Sequence, residues 1–307
     1  MATDKAGVRG QAKLLIVATT IYLLVALAST HPLWLHLSRS VPSDIGDPLL
    51  NTWILTWNSR ALLSAPLGLF DTNIFFPLPN TLAYSEHLSS TALLTLPIQA
   101  ISGEPVVAYN LSLLLSFPLA GLGMYLLMLR WTRQHGAAFL AGLAFAFAPY
   151  RLSTIAHLQL LTVQWLPFSL LALDRLLGDG EAKDRAATQD AHRWQLDAAL
   201  LVLFALLQVL ASWYLALFTG LILGLYTLCW LVAHVRHRQT GWTGGRRLAR
   251  LAIAALIVAG LTLPFALPYL EVLPQLQASR PVTWAVSFGS QPSDYLAAAP
   301  FLRLSGP

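Results

Sequence analysis

The sequence predicts an all-α integral membrane protein with about seven transmembrane helices and interfacial helices in a large first loop. Three observations carry this expectation. Of the 307 residues, 56% are hydrophobic and only 11% charged, and the mean hydropathy is +0.61; a soluble domain carries about a quarter charged residues. Apolar runs near the ~20 residues that cross a bilayer recur at 14–30, 106–129, 137–150, 158–174, 195–212, 213–233 and 251–270. The basic residues also alternate. With a cytoplasmic N-terminus, segments 1–13, 130–136, 174–194 and 234–250 hold 14 of the 19 Lys and Arg, as the positive-inside rule requires.

The first span follows a short basic leader without a small-x-small cleavage site, so it reads as a retained helix. The loop 31–105 comes next, on the extracytoplasmic side. Within it, SDIGDPLLNTWI places Asp44 and Asp47 before a helix whose first turn is Asp47-Pro48, an N-cap followed by proline. Leu50, Trp53, Ile54, Trp57, Ala61 and Leu62 form one stripe of that helix, with Asn51, Thr52, Asn58 and Ser59 largely opposite. Two tryptophans on the stripe predict a helix lying in the membrane interface, with the acids beside the bilayer surface.

The stretch Leu88 to Ile101 is short and carries Pro97, which predicts a juxtamembrane or re-entrant helix. A full crossing there would move Arg130 and Arg133 outside and invert everything after them. Prolines 118, 149, 167, 264 and 268 are expected to interrupt or end spans. The polar stretches GDGEAKDRAATQDAHRW and RHRQTGWTGGRRLAR read as solvated connectors. A transmembrane module over 1–272 is expected, with 273–307 the start of an extracytoplasmic segment of a longer protein.

Composition excludes several classes. The net charge of +5 and pI near 9.6 sort by membrane side and do not indicate nucleic acid. The single Cys229 lies in an apolar run and supports neither an internal disulfide nor a cysteine metal site. No Walker loop, G-x-S-x-G or H-E-x-x-H is present. Asn110-Leu111-Ser112 fits a glycosylation sequon by chance, and His31 and His36 read as interfacial.

The ionisable residues on the outer face are few enough to weigh singly. Asp44 and Asp47 are each readable as a turn or cap residue or as a general base at the membrane surface. Glu86 and His87 precede the short helix, so Ser85 or Glu86 is readable as its cap. The alternative is that Glu86 or His87 binds an acceptor or shares Mg²⁺ or Mn²⁺ with an aspartate, a metal role that no spacing here fixes. Arg151 stands where the positive-inside rule disfavours it; Tyr150, Arg151, His157 and Gln159 are expected around a lipid phosphate, the rival reading being an arginine that snorkels to headgroups. Trp213 and Tyr214 form the next outer turn and read either as an aromatic belt or as a platform for a sugar ring.

Together DIGD before an interfacial helix, FFPLPN, AYNLSLLLSFPLAGLGMYLL, AGLAFAFAPYR and HLQLLTVQWLPFSLLAL resemble the polytopic glycosyltransferases of the GT-C superfamily. The pattern is similar in flavour to the branch that includes YfhO-like membrane proteins, and it covers residues 14 to about 175. The resemblance implies a sugar taken from a polyprenyl-phosphate lipid and moved to an acceptor hydroxyl on the extracytoplasmic side of the plasma (inner) membrane, with inversion. It also implies an aspartate of the first outer loop as base or as holder of metal and acceptor. Here that role falls on Asp47 or Asp44, with Asp47 favoured by the flexible Gly46 and the helix N-terminus. Arg151 is then expected to stabilise the departing phosphate. The rivals are a lipid or solute transporter and a non-catalytic scaffold of envelope assembly. A transporter places ionisable groups near the midplane, whereas the acids here cluster in the loop.

Overall fold

A computed structural model describes residues 2–178, 187–236, 244–276, 282–287 and 289. Among these the chain is entirely helical apart from turns and loops, with α1 (Ala2–Ser29), α2 (Asp47–Ser64), α3 (Ser89–Ser102), α4 (Pro105–Thr132), α5 (His135–Ala146), α6 (Pro149–Ser153), α7 (Leu158–Leu161), α8 (Trp165–Leu177), α9 (Ala187–Ala211), α10 (Trp213–Arg236), α11 (Gly244–Val272) and α12 (Val282–Ser287). Among the described residues seven segments are long and apolar enough to cross a membrane: Gly10–Ser29, Pro105–Thr132, His135–Ser153, Leu158–Leu177, Trp194–Ala211, Trp213–Arg236 and Gly244–Val272. The protein is a multi-pass, all-α membrane protein. Most of the expected outer segment 273–307 lies outside the described residues.

Contacts at the two ends of the bundle agree with seven crossings. At one end Asp174 of α8 binds Arg130 of α4, accepts from Trp131 Nε1 at 3.3 Å and from the Tyr226 hydroxyl of α10 at 2.5 Å. At that end too, Arg247 donates to the Leu177 carbonyl at 2.7 Å and Arg250 covers the Trp194 ring at 4.4 Å. At the other end lie the long loop and the turns His157 and Ser212–Tyr214, which touch one another. We call these the basic end and the loop end. Counting α3 as a crossing would break this sorting.

Two expectations are corrected. Pro118 lies inside an unbroken α4, and Pro264 and Pro268 inside an unbroken α11. Pro149 and Pro167 instead stand in the first turns of α6 and α8, where a missing N–H costs nothing. The real breaks fall at Phe147–Ala148, Thr154–His157 and Thr162–Gln164. The second correction concerns α2. Its buried residues are Pro48, Asn51, Thr52, Ile54, Leu55, Asn58, Ser59 and Ala61, while Leu49 and Leu50 are exposed. The helix is therefore rotated from the expected orientation, and its polar side faces the protein. Trp53, Trp57 and Leu62 remain half-buried at the edge of the core, and Trp57 Nε1 donates to the Leu69 carbonyl at 2.8 Å.

The short α3 is built into the body, packing on α2, α4 and α9. Ser90 Oγ donates to the Leu207 carbonyl of α9 at 2.7 Å, and Gln99 Nε2 to the Leu55 carbonyl of α2 at 3.3 Å. Helix α4 is the hub, and small residues let its neighbours approach. Tyr22 of α1 donates to the Phe139 carbonyl of α5 at 2.9 Å and crosses the face of Gly121. A Cβ on Gly142 would meet the Tyr22 hydroxyl and stand 2.6 Å from the Gly121 carbonyl oxygen.

Gly142→Ala is therefore expected to destabilise the protein by about 1–3 kcal/mol, read as a lower unfolding midpoint in detergent. Gly220→Ala is the control, since a Cβ there meets nothing within 4 Å; it should hold or raise the midpoint because alanine is the better helix former. Equal midpoints for both variants would refute the close packing of α1, α4 and α5.

Candidate functional site

The predicted site residues separate into three groups. The first surrounds the start of α2. Asp44 Oδ1 accepts the Gly46 N–H at 2.8 Å, a local turn in an exposed loop. Gly46 has φ −77°, so no left-handed conformation requires glycine there. What glycine permits is closeness, since a Cβ would stand 3.1 Å from Asp44 Oδ1. The N-cap is Gly46, with no side-chain cap bond, which corrects the expected cap at Asp47. Asp47 opens the helix and turns its carboxylate to His157, with Oδ2 3.1 Å from Nε2 and the side chains 39% and 44% exposed. One turn on, Asn51 Nδ2 donates to Gln159 Oε1 at 2.9 Å. The loop acid and the turn after α6 thus meet, as the two sequence segments alone do not reveal.

The second group centres on Glu86. It does not cap α3, whose N-cap is Leu88 at φ 48°. Its carboxylate instead accepts from Ser212 Oγ at 3.2 Å, the Trp213 N–H at 2.7 Å and the Tyr214 N–H at 3.1 Å. It caps α10 from a distant part of the chain, where unpaired N–H groups and the helix dipole favour an anion. His87 beside it is fully buried, with Nδ1 accepting from the Ser89 amide at 3.2 Å and lying 2.8 Å from its hydroxyl. Nε2 therefore carries the hydrogen, and it has no hydrogen-bond partner among the described residues. The imidazole sits in a box of Phe70, Trp213, Phe265 and Tyr269, with centroids 5.5–6.1 Å away. That apolar burial pushes its pKa down to about 3. Trp213 joins this box, whereas Tyr214 is exposed and meets Phe218 edge-on at 5.1 Å.

The third group is Arg151, which the resemblance placed beside a departing phosphate. Arg151 is 4% exposed. Nη1 donates to the Ala146 carbonyl at 2.7 Å, and Nη2 donates to Leu161 O at 2.8 Å and Ser116 Oγ at 3.2 Å, while the guanidinium lies 4.6 Å over the Phe117 ring. It fastens the broken ends of α5 and α7 to α4 by feeding carbonyls that the breaks leave free. Tyr150 next to it is exposed and apart from that cluster.

Sequence reasoning missed the polar seam joining the first two groups. Gln159 O accepts from Thr162 Oγ1 at 3.1 Å, Thr162 O accepts from Gln208 Nε2 at 3.0 Å, and Ser212, one turn further along, reaches Glu86. Asn58 Nδ2 holds the His87 carbonyl at 2.5 Å. The signal available was the i, i+7 spacing of Asn51 and Asn58, which reads equally well as a solvent face. Among the described residues no three His, Cys, Asp or Glu side chains gather into a metal-holding group. Compared with protein-family models, curated proteins and solved structures, the chain matches none.

Two outcomes follow from these geometries. Arg151→Lys cannot reach the Ala146 and Leu161 carbonyls and the Ser116 hydroxyl at once, so it should lower stability by about 2 kcal/mol or more; an unchanged unfolding midpoint would contradict the clamp. His87 makes stability fall with acid. Above its ordinary pKa of 6.5 the imidazole is neutral folded and unfolded; below it the unfolded chain takes up a proton that the folded chain refuses until about 3. The loss should approach ~1.4 kcal/mol per pH unit in that window. The midpoint difference between wild type and His87→Asn, followed from pH 7.5 to 4.5, should therefore shrink as pH falls. Parallel profiles would count against a buried neutral His87.

Proposed function

We propose that the protein is a membrane-embedded glycosyltransferase that moves a sugar from a polyprenyl-phosphate donor to an acceptor hydroxyl, with Asp47 as the base. The observation carrying this reading is the Asp47 carboxylate at the loop end, 39% exposed and 3.1 Å from the His157 imidazole. The other loop acids weighed as candidates are committed elsewhere: Asp44 to its own turn and Glu86 to the start of α10. The second Asp47 oxygen remains for an incoming hydroxyl.

In the proposed step Asp47 takes the acceptor hydroxyl proton as that oxygen forms a bond to the anomeric carbon. The bond from that carbon to the phosphate oxygen breaks, and polyprenyl phosphate leaves with the electron pair. His157 positions the carboxylate. The donor arrives laterally from the bilayer, so no nucleotide-binding loop is required. The sorting of basic residues supports a cytoplasmic N-terminus and an extracytoplasmic loop end in the plasma membrane.

The test uses the full-length protein in proteoliposomes supplied with a panel of polyprenyl-phosphate sugars, scoring release of polyprenyl phosphate. Asp47→Asn should lose about 10²–10⁴ of the turnover, and Asp44→Asn should stay within a few-fold of wild type. His157→Gln should fall between them. Turnover that survives Asp47→Asn would overturn the assignment, and folded protein inert toward every donor would favour transport or a non-catalytic role in envelope assembly.

A further inference from the structure

A groove of about 450 Å³ opens at the loop end, between the turn ending in Tyr84 and the last turns of α11, lined by Tyr84, Ser85, Glu86, Trp213, Tyr269 and Leu270. Three aromatic side chains and one carboxylate make up its chemistry. Tyr269 is fixed by its hydroxyl, which donates to the Ser85 carbonyl at 2.8 Å, and it meets Trp213 edge-on at 5.8 Å. Tyr84 is steadied by Phe75 at 5.5 Å. The walls are therefore set by contacts within the protein.

Among the described residues, the charge beside the groove has one sign. Glu271 follows Leu270 and accepts from Asn80 Nδ2 at 2.8 Å, and Asp71 accepts the Asn80 N–H at 2.9 Å, both beside the turn that forms one wall. Residues 61–105, 194–235 and 251–276, which supply every wall, contain no Lys or Arg. Among the described residues lining the groove, a phosphate or carboxylate would meet Glu86 and no Lys or Arg. An ammonium group would meet ring faces and Glu86, whose three hydrogen bonds to Ser212, Trp213 and Tyr214 leave one of the roughly four lone-pair sites of a carboxylate. Further along the two helices that supply Trp213 and Tyr269, Leu217 and Leu221 of α10 and Leu263 and Leu267 of α11 are exposed. Those apolar faces suit acyl chains, and Trp213 and Tyr84 stand where interfacial aromatics belong.

We propose that this groove binds the ammonium headgroup of a zwitterionic phospholipid, of the phosphatidylethanolamine type, drawn from the leaflet at the loop end. The inference is independent of the transfer reaction, since it uses neither Asp47 nor His157. The lipid would lie along the seam between α10 and α11 and tie both to the first loop.

The test uses the purified full chain in detergent, with native mass spectrometry for retained lipid and thermal unfolding for protection. Phosphatidylethanolamine should be retained at least tenfold better than phosphatidylglycerol with the same acyl chains, and it alone should raise the midpoint. Tyr84→Ala and Glu86→Gln should each bring retention down to the phosphatidylglycerol level, while Trp34→Ala, an exposed aromatic elsewhere in the loop, should not. Because Glu86 also caps α10, Tyr84→Ala keeps the test decisive if Glu86→Gln unfolds. Equal retention of the two lipids, or undiminished retention in Tyr84→Ala, would overturn the proposal. Equal protection by soluble ethanolamine would also overturn it, by making the site one for a free amine.

Discussion

The carboxylate of Glu86 is the contact on which the loop end depends. In a membrane protein the first N–H groups of a helix beginning at the bilayer edge need a partner, and water is scarce beside them. A side chain 126 to 128 positions earlier in sequence supplies it, with hydrogen bonds to Ser212, Trp213 and Tyr214. That contact fixes the first loop to the α9–α10 turn. It sets Trp213 against His87 and Tyr269, and so shapes both the aromatic box and the groove outside it.

The loop is consequently a packed layer. Helices α2 and α3 bring Asn51, Asn58 and Ser90 inward, and every one of these is buried. Buried polar groups are costly unless paired, and pairing across elements gives the layer its register: Asn51 to Gln159, Asn58 to the His87 carbonyl, Ser90 to the Leu207 carbonyl. Arg151 does the same for carbonyls freed where α5 and α7 break off. Charge here serves backbone completion, while Asp47 and His157 present a titratable pair at the rim.

The two ends of the bundle use ionisable groups differently. At the basic end Asp174 gathers Arg130, Trp131 and Tyr226 into one structural knot joining α4, α8 and α10. At the loop end acids outnumber cations and stand beside aromatics, which suits binding of hydroxyl or ammonium groups. Both proposals, a base at Asp47 and a lipid headgroup beside Glu86, draw on this asymmetry.

By itself the sequence determined the class and the count of crossings, because length, apolarity and basic sorting are local properties that a bilayer reads directly. It also determined that Leu88 to Ile101 is not a span, and it singled out Asp44, Asp47, Glu86, His87 and Arg151 as the residues to explain. Tertiary structure alone decided what each one does. Periodicity sets the polar residues of α2 largely opposite its apolar stripe but does not say which side meets the protein, and the partners Gln159 and His87 turn the polar side inward. Asp47 meets His157, Glu86 caps α10 and Arg151 binds carbonyls for the same physical reason: a charged group's role is set by the partner that folding brings within about 3 Å, and that partner lies far away along the chain.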